Sequence, residues 1–175
     1  ATKSGSDYFD AINLGNIVCE LDGFFAEGGA KNIARRDGMA TTMLSATTFI
    51  GRIPEYYFQA VGSGTGAIAA WEANLRFLED GRYGNHKAKI YVSQNAPFLP
   101  MYDAWKKDSR ELLPYDNDQA RRDANTVIAK VLTNRKPPYS IAGGLYDAMK
   151  DTDGDFFAVT NEEAEVAGKL FEELE

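Results

Sequence analysis

The sequence has little of what several large classes of protein require. Its 175 residues include one cysteine and one histidine, and no apolar run reaches membrane-spanning length. The single cysteine, Cys19, cannot form an internal disulfide, which favours a reducing compartment. The N-terminus also lacks the basic-then-apolar pattern of a signal peptide. We therefore predict a cytoplasmic protein with no membrane partner.

Positive charge is scarce as well. There are 19 lysines and arginines against 26 acidic residues, which gives a net charge of −7. Because a general nucleic-acid surface needs clustered cations, we predict no nucleic-acid partner. A local pocket for a small anion remains compatible with this balance. The length and a hydrophobic share of 44% predict one domain, or one and a part, with a buried core.

No residue pattern predicts a metal site. His86 lies beside Gly84 in a polar loop, and we interpret it as solvated. Cys19 lies on the apolar side of the first predicted helix and is expected to pack in the core. The run 151–155 resembles a calcium loop, but its sixth position is Phe156 rather than glycine, so we predict a turn. The mixed charges of 116–123 favour a solvated helix start.

The centre of the chain is a strand, a glycine turn and a helix. The aromatic and β-branched run 56–61 predicts a buried strand. Gly62, Gly64 and Gly66 follow, and from Ala67 onward the residues are good helix formers. Ile68, Trp71, Leu75 and Leu78 recur at helical spacing and predict the buried face of that helix.

Backbone N–H groups converge where such a strand meets a helix, and the helix dipole favours an anion there. The hydroxyls of Ser63 and Thr65 add possible donors. The spacing also fits the relaxed dinucleotide pattern, Gly62-x-Gly64-x-x-Ala67. However, the next strand ends in Ser93-Gln94-Asn95, without the acidic residue that holds a ribose. A phosphate cradle for a smaller ligand and a tight turn without a ligand remain open.

The remaining pattern predicts alternating helices and strands. Strands are expected at 24–26, 89–94 and 156–159. Helices are expected from Ser4 or Ser6, and at 39–50, 101–107, 120–132, 143–150 and from 161 onward, where Thr160 and Glu163 form a capping box. The alternation predicts an α/β fold with a mostly parallel sheet.

The glycine turn resembles the phosphate-binding loop of the fold-type II pyridoxal-phosphate enzymes, the threonine synthase group. The residues that carry this resemblance are Gly62-Ser63-Gly64-Thr65-Gly66-Ala67-Ile68-Ala69-Ala70-Trp71-Glu72. Longer stretches resemble the archaeal cysteate synthase family of the coenzyme M pathway within that group. They are 27–39, 57–61, 93–98, 132–139 and 158–164.

The resemblance implies a three-layer αβα arrangement within a tryptophan synthase β-like fold. Residues 1–30 would end the small domain, and 31–175 would form a portion of the large one. The implied cofactor is pyridoxal phosphate, and its phosphate would lie on Gly62, Ser63, Gly64, Thr65 and Gly66.

The resemblance also implies a reaction, in which sulfite replaces the phosphate of O-phosphoserine to give cysteate and phosphate. An Asn-x-x-Arg loop binds the substrate phosphate in threonine synthases, and Asn32-x-x-Arg35 matches it. Arg35 is thus the predicted ligand, since a guanidinium can hold two oxygens at once. Lys31 and Arg36 are further candidates for phosphate or sulfite.

The chain departs from the family pattern in one important respect. No lysine lies in the Ser-Phe-Lys-like context of the family's cofactor lysine, so no catalytic residue is assigned. The residue that contacts the pyridine nitrogen would fall beyond Glu175. The chain alone is therefore predicted to be inactive, with the missing segment of the same enzyme as its partner and a homodimer as the family's usual assembly.

Two alternatives and one stretch stay open. The alternatives are a threonine synthase acting on O-phosphohomoserine and a non-catalytic, Rossmann-like domain that binds phosphate or a dinucleotide. The stretch is 135–139, which could line a site or form an interface.

Overall fold

A computed structural model describes residues 3–174. Three parallel strands, β1 (Tyr56–Ala60), β2 (Lys89–Asn95) and β3 (Asp155–Val159), form a sheet in the order β1-β2-β3. The helices are α1 (Tyr8–Val18), α2 (Ile33–Ile50), α3 (Thr65–Asp80), α4 (Pro100–Lys106), α5 (Asn117–Thr126), α6 (Leu145–Asp151) and α7 (Asn161–Leu174). The α/β class and the parallel pairing of β1 with β2 are confirmed.

One face of the sheet carries the main core. Ile90, Val92 and Phe156 are almost completely buried there. Side chains from α3, α4 and α6 cover them, led by Ile68, Met101 and Leu145. Because successive residues of a strand point to opposite faces, these alternate positions bury their side chains together.

The opposite face of the sheet exposes a row of aromatic rings. Tyr56 is 51% exposed, Phe58 69% and Phe157 44%, and Tyr91 lies between Phe58 and Phe157 with centroids 5.4 and 5.6 Å away. The prediction that β1 is buried was therefore wrong for this face. Composition marked β1 correctly as a strand, but aromatic content does not reveal which face another layer covers.

Helix α3 contacts both the sheet and α2. Its alanines, Ala69 and Ala73, pack against Ala40 and Met43 of α2. These small side chains let the two helices lie close together. Leu75 is 37% exposed, so its predicted place on the buried face was wrong.

Other boundaries also differ from the predictions. Residues 24–26 form no strand. Helix α2 starts at Ile33 rather than at 39, because Asn32 caps it by accepting a hydrogen bond from the N–H of Arg35. Helix α5 ends at Thr126, before a separate 3₁₀ turn, Lys130–Leu132.

One predicted helix cap is confirmed and another is wrong. The Thr160–Glu163 capping box starts α7, with Thr160 N–H donating to Glu163 at 2.8 Å. The cap of α1 is Asp7 rather than Ser4 or Ser6, because Asp7 forms a reciprocal capping box with Asp10. The predicted extension of the last helix to Glu175 lies outside the described residues. Between residues 3 and 174, no helix combines the length and apolarity needed to cross a membrane.

Candidate functional site

The predicted phosphate loop lies between the end of β1 and the start of α3. Gly64 adopts φ of 77°, and it is the one glycine of the loop that needs a left-handed backbone. Gly62 and Gly66 serve another purpose, because a Cβ at Gly62 would lie 3.1 Å from the backbone of Leu132 and one at Gly66 would lie 2.7 Å from Gln59.

The loop presents backbone donors that the described residues leave without acceptors. The N–H groups of Ser63, Gly64, Gly66 and Ala67 donate no hydrogen bond within 3–174, and Gly64, Gly66 and Ala67 are buried. Buried N–H groups without a partner are costly, so they point to an acceptor supplied by a ligand. The hydroxyls of Ser63 and Thr65 lie 2.9 Å apart beside them. This arrangement fits a phosphate group.

A cavity of about 200 Å³ opens in front of the loop. Its far wall consists of Val131, Leu132 and Asn134, from the 3₁₀ turn after α5 and the residues that follow it. Tyr8 of α1 also lines the cavity. The loop thus faces a concave space built by three distant parts of the chain.

A second cavity of about 480 Å³ adjoins the first. Tyr8, Ser63, Thr65 and Asn134 line both of them. The second cavity is bordered by α1, by the segment 25–31, by Arg35 and by Lys136. The structure therefore brings two of the predicted substrate residues, Lys31 and Arg35, to the same space as the predicted cofactor loop.

Arg35 is held in place by its own segment. Its guanidinium forms an ion pair with Glu27 at 2.8 Å, and about half of its side chain is exposed. Asn32 accepts from the Arg35 N–H and donates to the carbonyl oxygen of Glu27 at 2.7 Å. Asn32 lines neither cavity. Its hydrogen bonds instead position Arg35 and Glu27 relative to each other.

Arg36 faces away from both cavities. Its guanidinium pairs with Glu72 of α3 at 2.9 Å and donates to the carbonyl oxygen of Ala30 at 2.5 Å. These contacts fasten the segment 29–31 to α3. Arg36 thus supports the residues that line the larger cavity.

The stretch 135–139 contributes both to an internal interface and to the site. Arg135 is 4% exposed and forms ion pairs with Asp7 at 2.5 Å and Asp10 at 3.0 Å, with its guanidinium 4.7 Å from the ring centroid of Phe9. It fixes α1 against the cavities. A hydrogen bond from Arg121, of α5, is the main reason that the pKa of Asp10 lies below its ordinary value.

Sequence reasoning missed Tyr8 and Asn134 as lining residues, and it placed Lys136 in a stretch, 135–139, that could line a site or form an interface. No local signal could have found Tyr8, since its role depends on a contact between α1 and residues more than 120 positions away. The stretch 132–139 was noted for its resemblance to the cysteate synthase family. That resemblance did not show which side chains reach the cavity.

His86, the acidic run 151–155 and Cys19 were interpreted as residues without a role in binding. His86 lies outside both cavities, 3.7 Å from Glu55. Asp151, Asp153 and Asp155 pair with Lys87, Lys89 and Lys106 rather than with one another. The core position predicted for Cys19 was wrong, because Cys19 is half-buried after the end of α1 and lines the larger cavity.

Comparison with known proteins gives a consistent result. The chain is 55% identical over 172 residues to the cysteate synthase of Methanosarcina mazei, which covers 98% of this chain and 41% of that relative. It is 54% identical to the cysteate synthase of Methanosarcina barkeri over the same shares, and 49% identical over 174 residues to that of Methanocella paludicola, with 99% and 41% covered. No family model matches. The chain thus spans about 41% of the length of these curated relatives, and the predicted resemblance to cysteate synthase is confirmed for that segment.

Proposed function

We propose that this chain, similar over nearly all of its length to a segment of archaeal cysteate synthases, binds the cofactor phosphate and the substrates of such an enzyme. The reaction would join O-phosphoserine and sulfite to give cysteate and phosphate. The observation that carries the proposal is the glycine loop. Its buried N–H groups find no acceptor among residues 3–174, and they face a cavity continuous with Arg35 and Lys31.

The loop would hold the phosphate of pyridoxal phosphate. Backbone N–H groups of Ser63, Gly64, Gly66 and Ala67 supply donors, and the dipole of α3 favours negative charge at the same end. The Ser63 and Thr65 hydroxyls would add two more donors. When bound, pyridoxal phosphate supplies an electron sink for the bond changes at the substrate.

The cations of the larger cavity would hold the substrate. Arg35 has a planar guanidinium that can hold two phosphate oxygens at once, and Glu27 already orients it. Lys31 adds a second cation to the same cavity, where it could bind phosphate or sulfite. In the overall reaction the carbon–oxygen bond to phosphate breaks, phosphate leaves with the electron pair, and sulfur forms the new bond to carbon.

The proposal extends to the fold and to the part of the enzyme outside this chain. We infer a tryptophan synthase β-like fold, with residues 1–30 ending the small domain and 31–175 in the large one. The cofactor lysine would lie on the remaining segment, so this chain alone would be inactive. A homodimer and a cytoplasmic location are further predictions from the sequence.

Two other functions are less well supported. Threonine synthase chemistry would use the same loop, but the relatives reported above are cysteate synthases. A dinucleotide site needs a ribose ligand after β2, where the chain has Ser93, Gln94 and Asn95.

The cofactor assignment can be tested by amide NMR with the 175-residue chain. Addition of pyridoxal phosphate should shift the amides of 62–67 saturably, and borohydride should then leave no covalent adduct. Pyridoxal, which lacks the phosphate, is the matched control and should leave those amides unchanged. A chain that is folded but binds NAD at the loop, and not pyridoxal phosphate, would refute the assignment in favour of a dinucleotide site.

A further inference from the structure

The larger cavity carries more positive charge than Arg35 alone accounts for. Three cations, Lys31, Arg35 and Lys136, line it, while Glu27 is its carboxylate. Arg35 already pairs with Glu27, whereas Lys31 and Lys136 form no ion pair with any residue of 3–174. In a chain of net charge −7, two cations left without carboxylates in one cavity indicate a site for an added anion.

Lys136 is presented by a firmly built turn. The Oδ1 of Asn134 accepts a hydrogen bond from the Lys136 N–H at 3.0 Å. Arg135, between them, is fixed by its ion pairs to α1, and its carbonyl oxygen accepts from the hydroxyl of Tyr115. The Lys136 ammonium lies 5.4 Å from the ring centroid of Phe9, which limits its range without neutralising its charge.

Asn134 gives an independent indication of a ligand. It is 4% exposed and lines both cavities. Its Oδ1 is engaged by Lys136, but its Nδ2 donates to no residue of 3–174. Because Asn134 lines both cavities, this amide is available to donate a hydrogen bond to a ligand held there.

We propose that Lys136, Asn134 and Lys31 form a second oxyanion subsite, separate from Arg35, which binds the sulfite nucleophile. This proposal rests on the function proposed above, because that reaction must bring an anionic nucleophile to the carbon that loses phosphate. Sulfite has three oxygens that accept hydrogen bonds and a lone pair on sulfur that forms the new bond. Donors from these three side chains would hold the oxygens and leave the sulfur facing the substrate.

The subsite also explains a selectivity that the reaction needs. Water reaching the same carbon would yield serine in place of cysteate. Two cations and a buried amide raise the local concentration of an oxyanion and have no equivalent effect on neutral water. Lys136 and Asn134 would therefore determine the choice of nucleophile, while Arg35 binds the leaving group.

The test is a titration of the 175-residue chain with sodium sulfite, read by amide NMR under nitrogen, with and without pyridoxal phosphate. Lys136→Met should weaken sulfite binding about tenfold, the loss expected for one charge-assisted hydrogen bond. Asn134→Asp, which keeps the Oδ1 acceptor and removes the donor, should weaken it further through charge repulsion. Lys130→Met is the matched control, because Lys130 is exposed on the preceding turn and lines neither cavity.

The outcomes separate the two proposals. Inorganic phosphate, used as the competing probe, should shift the amides around Arg35. These shifts should disappear in Arg35→Met and remain in Lys136→Met. Sulfite binding that is unchanged in Lys136→Met, or absent from a chain that binds pyridoxal phosphate, would overturn the second subsite alone. If pyridoxal phosphate fails to shift the amides of 62–67 in the unaltered chain, the proposed function itself is refuted.

Discussion

At the scale of single residues, the glycine loop shows that similar glycines meet different demands. Gly64 and Gly81 begin and end the same helix with nearly the same backbone, at φ of 77° and 75°. A Cβ on Gly64 would lie 2.7 Å from the Leu145 side chain, whereas a Cβ on Gly81 would meet nothing within 4 Å. The pair separates the cost of the left-handed conformation from the cost of close packing.

Gly64→Ala should therefore destabilise the chain much more than Gly81→Ala. The exposed site should lose about 1 kcal/mol, the cost of a left-handed alanine. The loop site should lose about 3 kcal/mol, because overpacking against Leu145 adds to that cost. Urea unfolding measures both, and pyridoxal phosphate should bind normally to Gly81→Ala. Equal losses in the free energy of unfolding for the two variants would show that the Leu145 side chain moves aside without a cost in stability.

At the scale of elements, α1 is attached mainly through charge. It buries none of its own residues, and Leu14 and Ile17 are 46% and 61% exposed. Its firm contacts are the ion pairs of Asp7 and Asp10 with Arg135 and Arg121. Because Arg135 and Asp7 are nearly buried, removing one partner leaves the other without compensation.

Arg135→Met should release α1 while leaving the sheet folded. Loss of a buried partner costs about 3 kcal/mol, which corresponds to roughly hundredfold faster hydrogen exchange in α1. The larger cavity should lose its α1 wall, so that sulfite and phosphate bind more weakly. Arg122→Met is the control, since Arg122 is exposed and, among the residues that the structure describes, its side chain donates only to Gln119 of its own helix. Unchanged exchange in α1 would mean that the ion pair between Arg121 and Asp10 suffices to hold it.

The elements that could be predicted from the sequence are those with local signals. The Thr160–Glu163 capping box marked α7, and glycine turns with flanking periodicity marked β1, α3 and β2. Helix α2 was predicted six residues late, because Asn32 was interpreted as part of a loop motif rather than as a cap. The false strand at 24–26 followed from two phenylalanines in a segment that the structure leaves irregular.

The candidate site was predictable to a similar degree. The glycine loop and Arg35 were identified because their motifs lie within a few consecutive residues. Asn134 was not, and Lys136 was only part of a stretch with two interpretations, because the α1 wall beside them depends on Arg135 pairing across 125 positions or more. Arg36 was predicted to bind substrate, whereas its guanidinium pairs with Glu72. That contact depends on the packing of α2 against α3, which no local sequence signal reveals.

At the scale of the whole molecule, the sheet is covered unevenly. Helices α3, α4 and α6 bury one face, while the other exposes Tyr56, Phe58 and Phe157 around Tyr91. Parallel sheets in α/β proteins are normally covered on both faces. A contiguous aromatic surface in water favours association with another apolar surface.

The isolated chain should therefore self-associate through this aromatic face. Phe58→Ser with Phe157→Ser should shift the sedimentation profile towards monomer at concentrations where the unaltered chain associates. Stability should change little, because both rings are substantially exposed already, at 69% and 44%. Phe49→Ser is the matched control, since Phe49 is 92% exposed on α2 and belongs to no aromatic cluster of the described residues. If Phe49→Ser abolishes association and the double variant does not, the interacting surface lies on α2. The aromatic face of the sheet would then remain exposed to water without causing association.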